Sequence, residues 1–124
     1  MPLSRDFNET IRERALRDEA FRLAMLEDAL RALDVGEAFE AKILLRDFIN
    51  ATIGFPALGE ATGRHPKSLM RMLSPKGNPG LDALSDVLRE LAQREGYEVQ
   101  VTKSAPTRRK AARALPRNRK AKAA

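Results

Sequence analysis

The sequence contains no cysteine and no tryptophan, and its one histidine is His65. The absence of cysteine excludes disulfides and thiolate metal sites, and it is typical of proteins in a reducing cytoplasm. A single histidine leaves no basis for a histidine-based metal site or a catalytic triad. We therefore expect a cytoplasmic protein with no metal, no cofactor and no enzymatic activity.

Long apolar runs are also missing. No stretch approaches the ~20 apolar residues that a membrane-spanning helix needs. The first ten residues, MPLSRDFNET, lack the basic-then-apolar order of a signal peptide. Aromatic residues make up only 5% of the 124-residue chain, so its core must be built from Leu, Ala, Met and Ile. We expect one small domain with a tail, and no membrane partner.

The excess of positive charge is confined to one end of the chain. The net charge is +6, but residues 103–124 contain nine Lys and Arg and no acid. Residues 1–102 therefore carry 14 basic against 17 acidic residues, a net charge of −3. The low apolar content of 103–124 predicts a disordered basic tail. Such a tail can contact DNA phosphates, or it can be a solubilising extension without a specific role.

Apolar residues recur every three or four positions through most of the chain, which predicts helices. The predicted helices cover residues 6–17, 19–34, 37–52, 56–63, 66–73 and 81–95. Asp6 and Glu9 have the spacing of a capping box, and Asp18 suits the N-cap of the second helix. Gly36 suits the left-handed residue after that helix ends. The predicted fold class is all-α, a compact bundle of five to six helices.

Residues 97–101, YEVQV, have the alternation of a β-strand. Tyr97, Val99 and Val101 are apolar and the residues between them are polar, which predicts a short C-terminal strand with one apolar face. No other segment offers a partner strand. The mate is either the same strand of a second subunit or a strand of another protein. The alternative is an extended segment that lies on the helices.

Residues 55–79, FPALGEATGRHPKSLMRMLSPKGNP, have the pattern of a helix-turn-helix. Such a unit needs a small residue where its two short helices cross, and Gly59 is that residue. The turn needs a residue tolerant of positive φ, which Gly63 supplies. Pro66 suits the first position of the second helix, because its missing N–H would be unpaired there anyway.

The second helix of this pattern is predicted to present a basic face, since no acid occurs between Ala61 and Leu81. A recognition helix contacts bases mainly through its N-terminal residues. Arg71 can form a forked pair with guanine, and Lys67 can reach a guanine or a phosphate. The predicted DNA-binding residues are Arg64, His65, Pro66, Lys67, Ser68, Met70, Arg71 and Lys76.

A different interpretation of the same residues stays open. Glycines four positions apart can reflect turn geometry alone, and two basic residues on a short helix often form a solvated face. Residues 1–53 carry 11 acids against eight bases, a surface that attracts a basic partner protein. In this alternative the chain is a protein-interaction module that holds a partner and has little specific DNA binding.

Residues 46–101, and more weakly the helices before them, resemble the small helix-turn-helix antidote proteins of bacterial addiction modules. These are lambda-repressor-like antitoxins that also regulate transcription. The resemblance is carried by FPALGEATG, KSLMRMLS, GNP, LDALSDVLREL and YEVQV. It implies a DNA-binding homodimer with its recognition helix at residues 66–73. It also implies repression of its own operon through an operator, and neutralisation of a protein toxin encoded alongside, often a small ribosome-dependent ribonuclease.

Two residues depart from the family pattern. Arg64 follows the turn glycine, where many helix-turn-helix proteins carry an apolar residue. Gly59 replaces the commoner alanine, which predicts a first helix weaker by up to ~1 kcal/mol. The chain divides into N-terminal helices (1–53), a helix-turn-helix part with its closing strand (54–102) and the basic tail (103–124), and this tail lies outside the family pattern.

Overall fold

Six helices follow one another in the structure, a computed structural model that describes residues 2–103 and the side chains from Glu9 onward. They are α1 (Pro2–Arg17), α2 (Glu19–Asp34), α3 (Ala38–Ala51), α4 (Phe55–Thr62), α5 (Pro66–Met72) and α6 (Leu81–Glu95). The predicted all-α class is confirmed for the described residues, which form these helices and no strand. Within the same residues, no helix has both the length and the apolarity to cross a bilayer.

The ends of α2 follow the predicted signals, whereas the start of α1 does not. The Asp18 carboxylate accepts a hydrogen bond from the Phe21 backbone N–H at 3.1 Å, which confirms Asp18 as the N-cap of α2. Gly36 follows the helix with φ of 85°, as predicted. The predicted capping box at Asp6 is wrong, because α1 already begins at Pro2 and Asp6 lies inside it. A proline at the first helical position is well tolerated, and it supports this earlier start.

Helices α2, α3, α4, α5 and α6 share one apolar core. Its buried members are Leu26, Ala29, Leu45, Phe48, Ile49, Phe55, Leu58, Leu69, Leu73, Val87 and Leu91. They come from both 1–53 and 54–102, so the two parts of the chain share one core. α1 packs on α2 and α3 outside this cluster, and Arg12 Nη1 donates a hydrogen bond to the Asn50 carbonyl of α3 at 3.0 Å.

A largely buried arginine connects the first two helices to the last. Arg22 Nε donates to Glu95 Oε1 at 3.0 Å, and its Nη1 donates to the Ala15 carbonyl at 2.7 Å. Only 20% of the Arg22 side chain and 10% of the Glu95 side chain are exposed. One guanidinium therefore ties the end of α1 and the start of α2 to the end of α6.

Residues 97–103, which include the predicted strand, form neither helix nor strand in the single chain. Tyr97 packs against the core, and its burial raises the pKa of the hydroxyl. Val99 and Val101 are 71% and 97% exposed. A strand requires a partner for its hydrogen bonds, and residues 2–103 contain no other strand. Of the three apolar residues in this segment, only Tyr97 packs against the core.

Candidate nucleic-acid interface

Helices α4 and α5 approach so closely that glycine is required at position 59. A Cβ built there would lie 2.6 Å from the Arg64 carbonyl oxygen and 2.9 Å from Pro66 Cγ. Gly63 ends α4 in the left-handed conformation, with φ of 71°. The predicted roles of these two glycines, at the close crossing and in the turn, are confirmed.

We expect Gly59→Ala to lower the free energy of unfolding by about 1–2 kcal/mol. Overpacking against a backbone oxygen costs about 1–3 kcal/mol, and this exceeds the helix-propensity gain of up to ~1 kcal/mol that alanine brings. The expectation that Gly59 weakens α4 considered helix propensity alone. Because α5 lies so close, the expected effect of alanine on the free energy of unfolding changes from a gain to a loss.

Urea denaturation of the two proteins measures this difference. Gly80→Ala is the matched control, because a Cβ at Gly80 meets nothing within 4 Å and its φ of −70° suits alanine. Gly80 is the N-cap of α6, so only the cost of alanine at that position is expected there. A Gly59→Ala protein as stable as the wild type would contradict the required close approach.

The N-terminal end of α5 is capped by His65. Its Nδ1 accepts a hydrogen bond from the Lys67 backbone N–H at 3.2 Å, and α5 begins at Pro66. The predicted positions of His65 and Pro66 are thus confirmed. Because Nδ1 accepts, the neutral ring carries its proton on Nε2. The exposed His65 ring therefore offers an N–H donor at the N-terminal end of α5.

The outward face of α5 is exposed and basic. Leu69 is fully buried and Met72 partly buried, which fixes the rotation of the short helix on the core. The exposed residues of α5 are Lys67, Ser68, Met70 and Arg71, and Pro66 is half-buried. This pattern is the one predicted, and it places Lys67 and Arg71 one turn apart on the surface.

Arg64 is engaged within the protein. Its Nε and Nη2 donate to Asp86 Oδ2 at 3.1 and 2.8 Å, and about one third of each side chain is exposed. The pair ties the turn after α4 to α6. Sequence analysis did not single out Asp86, and the one signal was the charge of Arg64 at a position that is commonly apolar.

Lys76, the last predicted contact, is exposed in the loop between α5 and α6. This loop is held by Lys42 of α3, whose Nζ donates to the Pro75 carbonyl at 3.1 Å and to the Gly77 carbonyl at 2.6 Å. A Cβ at Gly77 would collide with the carbonyls of Arg71 and Met72. The loop therefore packs directly against the C-terminal end of α5.

Sequence analysis missed the role of Lys42. A lysine on an amphipathic helix gives no sign of a partner more than 30 residues away. The predicted basic tail lies almost wholly outside the described residues, so its disorder and its phosphate contacts stay predictions.

No protein-family model, no curated protein and no solved structure matches the chain. The resemblance to helix-turn-helix antidote proteins rests on the sequence motifs alone.

Proposed function

We propose that α4, its turn and α5 form a helix-turn-helix, and that the protein is a cytoplasmic, sequence-specific regulator that binds double-stranded DNA. The carrying observation is the exposed basic face of α5. Lys67 and Arg71 project from a helix that buried Leu69 fixes on the core. No acid occurs from Ala61 to Leu81, so this surface attracts phosphates and can enter the major groove.

Each exposed residue has a role that fits its chemistry. Arg71 donates a forked pair of hydrogen bonds to guanine, and the apolar Met70 contacts a thymine methyl group. Lys67, Ser68 and the Nε2–H of His65 donate to phosphates at the start of the helix. Lys76 reaches a phosphate from the following loop, whereas Pro66 supplies the helix start. Arg64 acts mainly through Asp86, by holding the turn.

We propose further that the protein is a homodimer, in which residues 97–101 pair as a β-strand with the same segment of the second subunit. In an antiparallel pair centred on Val99, Tyr97 lies opposite Val101 of the second subunit and Glu98 lies opposite Gln100. Apolar side chains then meet on one face, and no like charges oppose each other. This pairing covers the 71% and 97% exposed side chains of Val99 and Val101.

Footprinting on the DNA upstream of the protein's own gene tests this proposal. We expect two protected half-sites with centres about one helical turn, ~34 Å, apart, because a two-fold dimer places its recognition helices in successive major grooves. Repression of its own operon follows from a site that overlaps the promoter. A basic reference protein that fully protects the same DNA sets the concentration for comparison. No protection by this protein at that concentration would contradict the proposal.

A second function, the holding of a basic protein partner such as a toxin, is supported by a group of three acidic residues, Asp28 of α2, Glu37 at the N-cap of α3 and Glu40 in its first turn. A side-chain hydrogen bond with Glu37, together with the charges of Glu37 and Asp28, raises the pKa of the Glu40 carboxyl. Carboxylates this close to one another favour a cationic partner. Gel filtration after co-expression with the neighbouring gene product tests this function, and separate elution would exclude that neighbour as the partner.

A further inference from the structure

The loop between α5 and α6 is fixed by one side chain from a distant helix. Lys42 Nζ donates to the carbonyls on either side of Lys76, those of Pro75 and Gly77, at 3.1 and 2.6 Å. Within the loop, the Gly77 N–H donates to the Ser74 carbonyl at 2.9 Å. The backbone at Lys76 is therefore held on both sides, while its side chain is exposed.

We propose that Lys42 is a positioning residue for DNA binding, which holds the loop so that Lys76 meets a phosphate. Fixing a residue of a free loop costs conformational entropy, and Lys42 removes this cost before DNA arrives. This inference rests on the proposed function, since it assigns Lys42 to the same DNA surface.

The mechanism predicts a specific kind of defect. Loss of one phosphate contact lowers the slope of log affinity against log salt by about 0.9. Between roughly 50 and 200 mM salt, the affinity of the variant then falls about 3.5-fold less than that of the wild type. The preference among DNA sequences is unchanged, because α5 is anchored by Leu69 in the core and not by Lys42.

Lys42→Met tests this role, because it keeps the apolar stem and removes the ammonium. Fluorescence anisotropy is measured with the upstream DNA and with a random duplex of equal length, over a salt series. Arg46→Met, which removes the same charge one turn further along α3, should keep the wild-type slope. Lys42→Arg should restore most of it, since a guanidinium can also donate to both carbonyls. Circular dichroism checks folding, and Lys42→Leu, which also lacks a donor, replaces the methionine variant if that variant unfolds.

The double variant with Lys76→Ala identifies the route of the effect. If Lys42 acts through Lys76, then Lys42→Met changes neither slope nor affinity in the Lys76→Ala background. A wild-type slope in Lys42→Met, or an undiminished effect in the double variant, would overturn the inference. Lack of sequence preference in the wild type would count against the proposed function alone, because the Lys42 slope effect is also measured on random DNA. A wild type that binds neither duplex would overturn both.

Discussion

Arg71→Ala is expected to cost about 1–3 kcal/mol of binding to the upstream DNA and to relax base preference at one position of each half-site. Arg71 is exposed on α5, and a guanidinium that forks onto guanine contributes to affinity only where that guanine is present. Binding to random DNA should change much less. Anisotropy competition with a set of single-base operator variants measures both quantities.

Arg31→Ala is the matched control for this experiment. Arg31 lies on α2, is 66% exposed at its side chain and pairs with Glu27 at 3.6 Å, so its removal takes away one positive charge outside α5 and the following loop. We expect it to keep the wild-type base preference. If Arg71→Ala also keeps the wild-type preference and affinity, Arg71 does not read bases.

Glu95→Ala is expected to lower the free energy of unfolding by about 3 kcal/mol, the low end of the cost of breaking a buried ion pair, because this pair is largely and not fully buried. The change leaves the Arg22 guanidinium, only 20% exposed, with carbonyl partners but without its anion. For a domain of this size, the loss corresponds to a fall in Tm of about 12 °C or more. Thermal unfolding followed by circular dichroism measures it.

The exposed pair between Glu27 and Arg31 provides the contrast. Their side chains are 70% and 66% exposed, and the removal of such a pair costs about 1 kcal/mol or less. Glu27→Ala should therefore leave Tm nearly unchanged. Equal and small shifts for the two glutamate variants would show that the Arg22–Glu95 pair does not stabilise the packing of α6 on α2.

Local signals in the sequence predicted most of the helices and the turn. The bounds of α2 and α6 agree with prediction, because each helix has a strong periodic face and a clear end signal at Asp18, Gly36 or Gly96. The left-handed conformation of Gly63 was predicted because glycine is the residue that adopts positive φ most readily. In each case a capping residue, a glycine or a periodic apolar face determines the structure within a few residues of its own position.

The contacts that sequence reasoning missed join residues far apart in the chain. Arg64 with Asp86, Lys42 with the loop carbonyls, and Arg22 with Glu95 span from 22 to 73 positions. Periodicity identifies which face of a helix is apolar, but it carries no information on which charged residue of another helix lies nearby. The predicted strand at residues 97–101 is not formed in the single chain, and its alternation likewise carries no information on which segment would pair with it.

Sequence-specific DNA binding by α5 is tested most simply by fluorescence anisotropy of the purified protein. Binding is measured to the DNA upstream of its own gene and to random DNA, across a salt series. We predict a preference for the upstream DNA that persists as salt rises, because base contacts by α5 add to the salt-sensitive phosphate contacts. Equal binding to both duplexes that disappears with salt would contradict the claim. It would assign the affinity to non-specific cations such as those of the tail, and the function to a protein partner.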